Sequence, residues 1–370
     1  ADRILGARKA VLYGGIIIAA GNPLLAAPMT WTFYLGLGMI CVGTGLLKTN
    51  ASTMVGSLYA QGDPRRDAGF SIYYMGINLG AFLSPLFVGY VGQTINWRLA
   101  FLLVTAGMTV GLVQYVMTQR HLGEAGMRPT TPPGPAEKKQ FALGVAGFVG
   151  VPLLIGAAQV MNVTAFSAGD IADAFSVVLV GCFVAVFAVL WMACTEPQER
   201  KNIAVIFCLL IASVLFWSSF EQAGSTLNLF ADEKTRNEVF GMAYPSSWFQ
   251  SVNSIYLIAL APLFSMLWLK MGERQPSVPA KFALGLLFVG LGFLALVIPA
   301  GAADGGVKVS PAWLMVTYLL HTIGELCLSP VGLSAMTKLA PARLGGVIMG
   351  VFFLSIATGN YIGGRLAGLY

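Results

Sequence analysis

Charge is what this chain has least of. Asp, Glu, Lys and Arg make up 10% of its 370 residues, where a soluble protein carries about 25%. That is too little to coat a water-facing surface, so an assembly of soluble domains is excluded. Clustered metal or disulfide chemistry is missing too. Cys41, Cys182, Cys194, Cys208 and Cys327 are scattered singly and the only histidines are His121 and His321, which argues against a zinc site or a disulfide framework. The cysteines read as small apolar packing residues. HExxH, GxSxG and the Walker pattern are also absent. No enzyme constellation and no cofactor are therefore expected. Without a nucleotide-binding segment, an ion gradient is the remaining source of energy.

What the chain does have is apolar length. Hydrophobic residues are 56% of it and the mean hydropathy is +0.75. A bilayer core needs about 20 apolar residues per helix, and the sequence predicts eleven such spans: 10–27, 30–50, 69–92, 97–118, 140–160, 172–194, 201–222, 246–269, 279–299, 312–336 and 344–369. Long runs rather than ten-residue alternation favour helices over a barrel. RPTTPPGPAEKK (128–139) reads as a linker between two halves. The chain opens on a charged loop without an initiator Met or a leader pattern and closes after an apolar run, so further helices are expected at both ends.

The net charge of +6 is a topology signal. Sixteen of the 22 lysines and arginines fall in loops on the side where the chain starts. Five (Arg98, Lys234, Arg236, Lys308 and Arg365) fall on the other, and Lys48 lies within a span. This asymmetry makes the starting side cytoplasmic and argues against a nucleic-acid partner.

Ionisable residues inside spans are the informative ones, because a charge at mid-bilayer costs at least about 2.5–3.5 kcal/mol and normally faces a cavity or a partner. Lys48 lies in GTGLLKTN, Glu221 in FWSSFEQ and Glu325 in HTIGELCLSP. Each has a plainer reading. Lys48 can snorkel to the cytoplasmic interface, Glu221 can mark a helix exit, and Glu325 can be a structural carboxylate held by Thr322 or His321. Asn78 and Asn253 sit among apolar neighbours and can either bond a neighbouring helix or hold a peptide-like polar group. Together the five residues point to a shared polar cavity. Tyr73, Tyr74, Phe216, Trp217, Trp248, Phe352 and Phe353 are candidate pocket aromatics, Trp217 and Tyr74 the foremost. Pro85, Pro262 and Pro330 are candidate kinks.

These segments resemble the proton-dependent oligopeptide transporters, the peptide-transporter branch of the major facilitator superfamily. DRILGARK (2–9) is similar to the superfamily's cytoplasmic motif, GTGLLKTNAS (43–52) to the fourth helix and DAGFSIYYMGINLGAFLSP (67–85) to the fifth. FWSSFEQ (216–222) matches the seventh-helix pattern, while SSWFQSVN (246–253) and GELCLSPVGLS (324–334) resemble the eighth and tenth. The resemblance implies an all-α helical bundle of two pseudo-symmetric six-helix halves plus two inserted helices, with the first two and the last helix outside this chain. The halves would be 1–119 and 199–370, with 120–198 a linker carrying the inserted pair. The first-helix ExxER motif has no counterpart here, and Phe352 stands where the family commonly has Trp.

The resemblance also implies roles. Lys48 would pair with first-helix carboxylates and the substrate carboxylate and take part in proton coupling, and Glu221 would be a protonation site that gates the external side. Asn78, Asn253 and Glu325 would receive the peptide's amino terminus and backbone, with Trp217 and Tyr74 lining side-chain pockets. The expected activity is proton-coupled symport of di- and tripeptides by alternating access, by a monomer in the lipid of a bacterial cytoplasmic membrane. The alternative is another solute on the same scaffold, such as nitrate, a secondary metabolite or a peptidomimetic drug.

Overall fold

A computed structural model describes residues 6–59, 65–127, 168–239, 241–341 and 344–369, together with 134, 135, 139, 142 and 143. The start of the opening motif, most of the Pro-rich linker and nearly all of the expected span 140–160 lie outside the described residues. Ten helices among the described residues are long and apolar enough to cross a membrane. They are α1 (Ala7–Ala26), α2 (Thr30–Ser57), α3 (Arg65–Ser84), α4 (Trp97–Thr118), α5 (Ala168–Ala193), α6 (Pro197–Phe220), α8 (Phe249–Met271), α9 (Val278–Asp304), α10 (Ala312–Leu339) and α11 (Gly345–Ala367). Each overlaps an expected span. A short helix, α7 (Thr226–Glu233), lies between α6 and α8.

Local signals set several helix ends. Asn96 caps α4, its Oδ1 accepting from the Arg98 amide at 2.7 Å. Proline occupies the first turn of α6 and of α9, where the missing N–H goes unused. Gly272 ends α8 in a left-handed conformation, φ 50°, which glycine adopts without strain. At Pro85 the α3 helix passes into two π-helical turns, Pro85–Gly89 and Val91–Ile95. By contrast, α8 and α10 continue through Pro262 and Pro330.

The chain divides into two compact units, residues 1–80 with 86–166, and residues 81–85 with 167–370. In the first, α1 and α2 meet backbone to backbone. A Cβ on Gly14 would lie 2.7 Å from the Gly43 carbonyl oxygen, and one on Gly36 would lie 2.7 Å from that of Gly21. Two glycine pairs seven residues apart on antiparallel helices thus form one seam, the close approach that small residues permit in lipid.

In the second unit, α6, α9, α10 and α11 enclose an apolar core that includes Phe216, Phe282, Leu328 and Phe352. Here too glycines set the approach, since a Cβ on Gly324 would stand 2.8 Å from the Gly285 carbonyl oxygen. The α5 helix leans on this bundle, with Phe187 edge-on to Phe207 at 4.8 Å and Asp173 paired with Arg365 at 2.9 Å. Beyond α6, a second cluster gathers Leu227, Phe230, Phe249, Leu314 and Tyr318 beneath α7. A two-residue ladder, Glu238–Val239 against Met242–Ala243, closes that loop.

Candidate functional site

The second unit assembles polar groups from three elements on one spot. Glu221 is the residue at which α6 ends and a 3-10 turn begins, and its side chain is exposed. Glu325 lies mid-way along α10, within electrostatic reach of Glu221. From α8, the Asn253 amide lies beside the Glu325 carboxyl group. Asn253 is itself held by Thr322, whose Oγ1 lies 2.5 Å from Asn253 Oδ1 and 2.7 Å from the Tyr318 carbonyl oxygen. Thr322 and Glu325 share a face of α10 through their three-residue spacing.

One atom of this cluster stands out. Glu325 Oε2 is buried and meets no hydrogen-bond partner among the described residues. A buried acceptor left unpaired costs about 1–3 kcal/mol, and more when it is charged. The arrangement therefore leaves one carboxylate oxygen open. It can accept a donor-rich cationic group such as an ammonium.

Behind Glu325 the packing is tight. His321, one turn earlier on α10, is buried, with its ring 5.0 Å from Phe293 and 6.3 Å from Phe220. A Cβ on Gly292 would lie 2.5 Å from the His321 ring, so that glycine makes the ring's space. The Val289 backbone lies beside the ring. Trp217 is buried against Phe216 and Phe220, at 5.5 and 5.3 Å, and its Nε1 has no hydrogen-bond partner among the described residues. Gln222 fastens the turn after Glu221, its Nε2 donating to the Gly363 carbonyl oxygen at 2.8 Å. Phe352 is enclosed in the core, where its ring edge is 2.9 Å from the Cβ position of Gly332.

The remaining foremost candidates, Lys48, Asn78 and Tyr74, belong to the first unit. Lys48 is exposed on α2, which runs on to Ser57, so it sits well within the helix and not at its end. Asn78 on α3 is half-buried, its Nδ2 donating to the Tyr74 carbonyl oxygen at 2.9 Å, and the Tyr74 side chain is exposed. Thus Glu221, Asn253 and Glu325 come together within one unit, with Trp217 one turn before Glu221. Lys48, Asn78 and Tyr74 lie in the other. Thr322 is expected from sequence as a holder of Glu325; what sequence alone does not reveal is that its hydroxyl meets Asn253.

A family profile described as the POT family matches residues 8–370. The chain belongs to the POT family. This POT-family chain is 41% identical over 375 residues to an uncharacterized transporter, YclF, of Bacillus subtilis, covering 100% of this chain and 75% of that protein. It is 33% identical to a di-/tripeptide transporter of Lactococcus lactis subsp. cremoris, covering 100% of this chain and 76% of the relative. A crystal structure of peptide transporter POT in complex with sulfate superimposes with a TM-score of 0.94 at 43% identity, over 100% of this chain and 75% of that one. The POT-family chain is a multi-pass membrane protein with the major facilitator architecture of these transporters.

Proposed function

We propose that this chain is a proton-coupled symporter that imports di- and tripeptides by alternating access, in the cytoplasmic membrane of a bacterium. The observation that carries the reading is Glu325 Oε2, a buried acceptor without a partner among the described residues, with Glu221 within electrostatic reach of the same carboxyl group. Family membership and a relative named as a di-/tripeptide transporter support it.

In this reading the second unit holds the peptide's ammonium with Glu325 and its backbone with Asn253, and Trp217 lines a side-chain pocket. Lys48, Asn78 and Tyr74 are the first unit's substrate-binding residues, Lys48 for the peptide carboxylate. Glu221 is the proton carrier. Two carboxylates near one another disfavour double ionisation, so arrival of a cationic group at Glu325 alters which of them holds a proton. One proton crossing 100 mV supplies about 2.3 kcal/mol, enough to concentrate a peptide about fifty-fold. The protein would act as a monomer surrounded by lipid.

Reconstituted into vesicles with an inward proton gradient, the protein should accumulate a labelled dipeptide, and unlabelled di- and tripeptides should compete. Equal uptake with and without the gradient would reject coupling. Competition by nitrate but not by peptides would reject the substrate.

A further inference from the structure

Thr322 bridges two acceptors with a single proton. Its Oγ1 is 2.7 Å from the Tyr318 carbonyl oxygen and 2.5 Å from Asn253 Oδ1, and the residue is fully buried. A hydroxyl has one hydrogen to donate and lone pairs to accept with, so only one of the two contacts can be a Thr322 donation at a time. Glu325 follows Thr322 by three residues on the same face of α10, so the far end of that amide is presented to its carboxyl group. The nitrogen and oxygen ends of an amide are close in size but opposite in hydrogen-bonding role, so the chain Tyr318–Thr322–Asn253–Glu325 has two complete arrangements.

In one arrangement Thr322 donates to Asn253 Oδ1, which turns Nδ2 toward Glu325, and Nδ2 donates to an ionised carboxylate. In the other Thr322 donates to Tyr318 O, its usual helix partner. Asn253 Nδ2 then donates to Thr322 Oγ1 and Oδ1 faces Glu325, where it can accept only from a protonated carboxyl. The proton concerned is exchanged between Glu325 and water. Nothing else changes hands.

We propose that Thr322 is a positioning residue that couples the orientation of the Asn253 amide to the charge state of Glu325, so that the site offers an anionic acceptor or a neutral donor but no intermediate state. The inference rests on the peptide-binding role given to Glu325 above. The other groups near Glu325 do not duplicate the link. Glu221, from the turn after α6, faces it as a second carboxylate, and His321 on its own helix is turned into the Phe293–Gly292 packing. The charged groups of α9 and α11 are held elsewhere, Lys281 by Gln275, Asp304 by Lys234 and Arg365 by Asp173.

The test compares Thr322→Val, which keeps shape but has no hydroxyl, with Thr322→Ser, which keeps the hydroxyl. Infrared difference spectra against pH follow the carboxyl band lost in Glu325→Gln and the amide band lost in Asn253→Ala. In wild type and Thr322→Ser the two bands should change together at one midpoint. In Thr322→Val the carboxyl midpoint should move and the amide band should cease to follow it. Gradient-driven dipeptide accumulation should fall in Thr322→Val while peptide exchange without a gradient persists. A valine variant whose bands still change together at the wild-type midpoint would overturn the proposal. Peptide exchange separates lost coupling from lost folding, because an unfolded variant loses both activities. Failure of wild type to transport peptides would reject the transport reading, with the infrared comparison still deciding the coupling.

Discussion

Replacing Gly43 by alanine should destabilise the protein, whereas the same change two residues later should not. A Cβ at Gly43 would lie 2.6 Å from the Gly14 carbonyl oxygen, 2.6 Å from Ile18 Cγ1 and 3.0 Å from the Ile18 nitrogen. Two of those three neighbours are backbone and cannot rotate away. Ordinary carbon–oxygen approach is about 3.3–3.6 Å, so α1 and α2 must separate by roughly 0.7 Å to accept the methyl group. Overpacking of this kind costs about 1–3 kcal/mol, a five- to 150-fold loss in the folded-to-unfolded ratio at about 1.4 kcal/mol per factor of ten. At Gly45, on the same helix, nothing lies within 4 Å of the added Cβ, and exchanging a mid-helix glycine for alanine gains about 0.5–1 kcal/mol. The two single-methyl changes thus differ in sign. Fraction folded after a heat step in detergent, read by size-exclusion chromatography, measures both. Gly43→Ala as stable as wild type, or Gly45→Ala falling with it, would refute the seam.

Two further predictions concern the second unit. Glu325→Gln exchanges a charged acceptor for a neutral amide. Since hydrogen bonds to charged groups contribute about 1.5–3 kcal/mol, dipeptide affinity should fall about ten- to 150-fold. An N-acetylated dipeptide should bind wild type and variant equally weakly; titration calorimetry showing wild-type affinity in Glu325→Gln would remove that residue from ligand binding. Near the end of α8, the Trp268 ring centroid lies 4.3 Å from Nζ of Lys281 in the first turn of α9, and that Nζ donates to Gln275 at 2.8 Å. A double-mutant cycle of Trp268→Leu and Lys281→Met should therefore return a coupling of about 0.5–2 kcal/mol, and strictly additive losses in thermal stability would show the contact to be inert.

Much of the fold is readable from periodicity-free apolar length, because lipid demands that each spanning segment satisfy its own backbone. The α6 helix, for instance, follows directly from the uninterrupted run before FWSSFEQ. The loop after it does not, since α7 gains its stability from burying Leu227 and Phe230 beneath neighbours distant in sequence. The same limit holds for the site. Glu221, Asn253 and Glu325 announce themselves as polar groups in apolar surroundings, which is a local signal. Thr322 reads from sequence only as a neighbour of Glu325, one turn away, and its contact with Asn253, 69 residues distant, comes from the packing of α8 on α10. Likewise no pattern at Gly292 foretells that it makes room for His321, because the contact depends on the crossing of α9 with α10.

The account stands on the binding of peptide and proton in one transport cycle. A dipeptide gradient alone, imposed across vesicles with membrane potential and pH gradient both clamped to zero at the start, measures that linkage. Lumenal pH should fall as dipeptide enters through wild type, and should stay constant with Glu221→Gln even while dipeptide exchanges. Dipeptide entering through wild type at unchanged lumenal pH would contradict it.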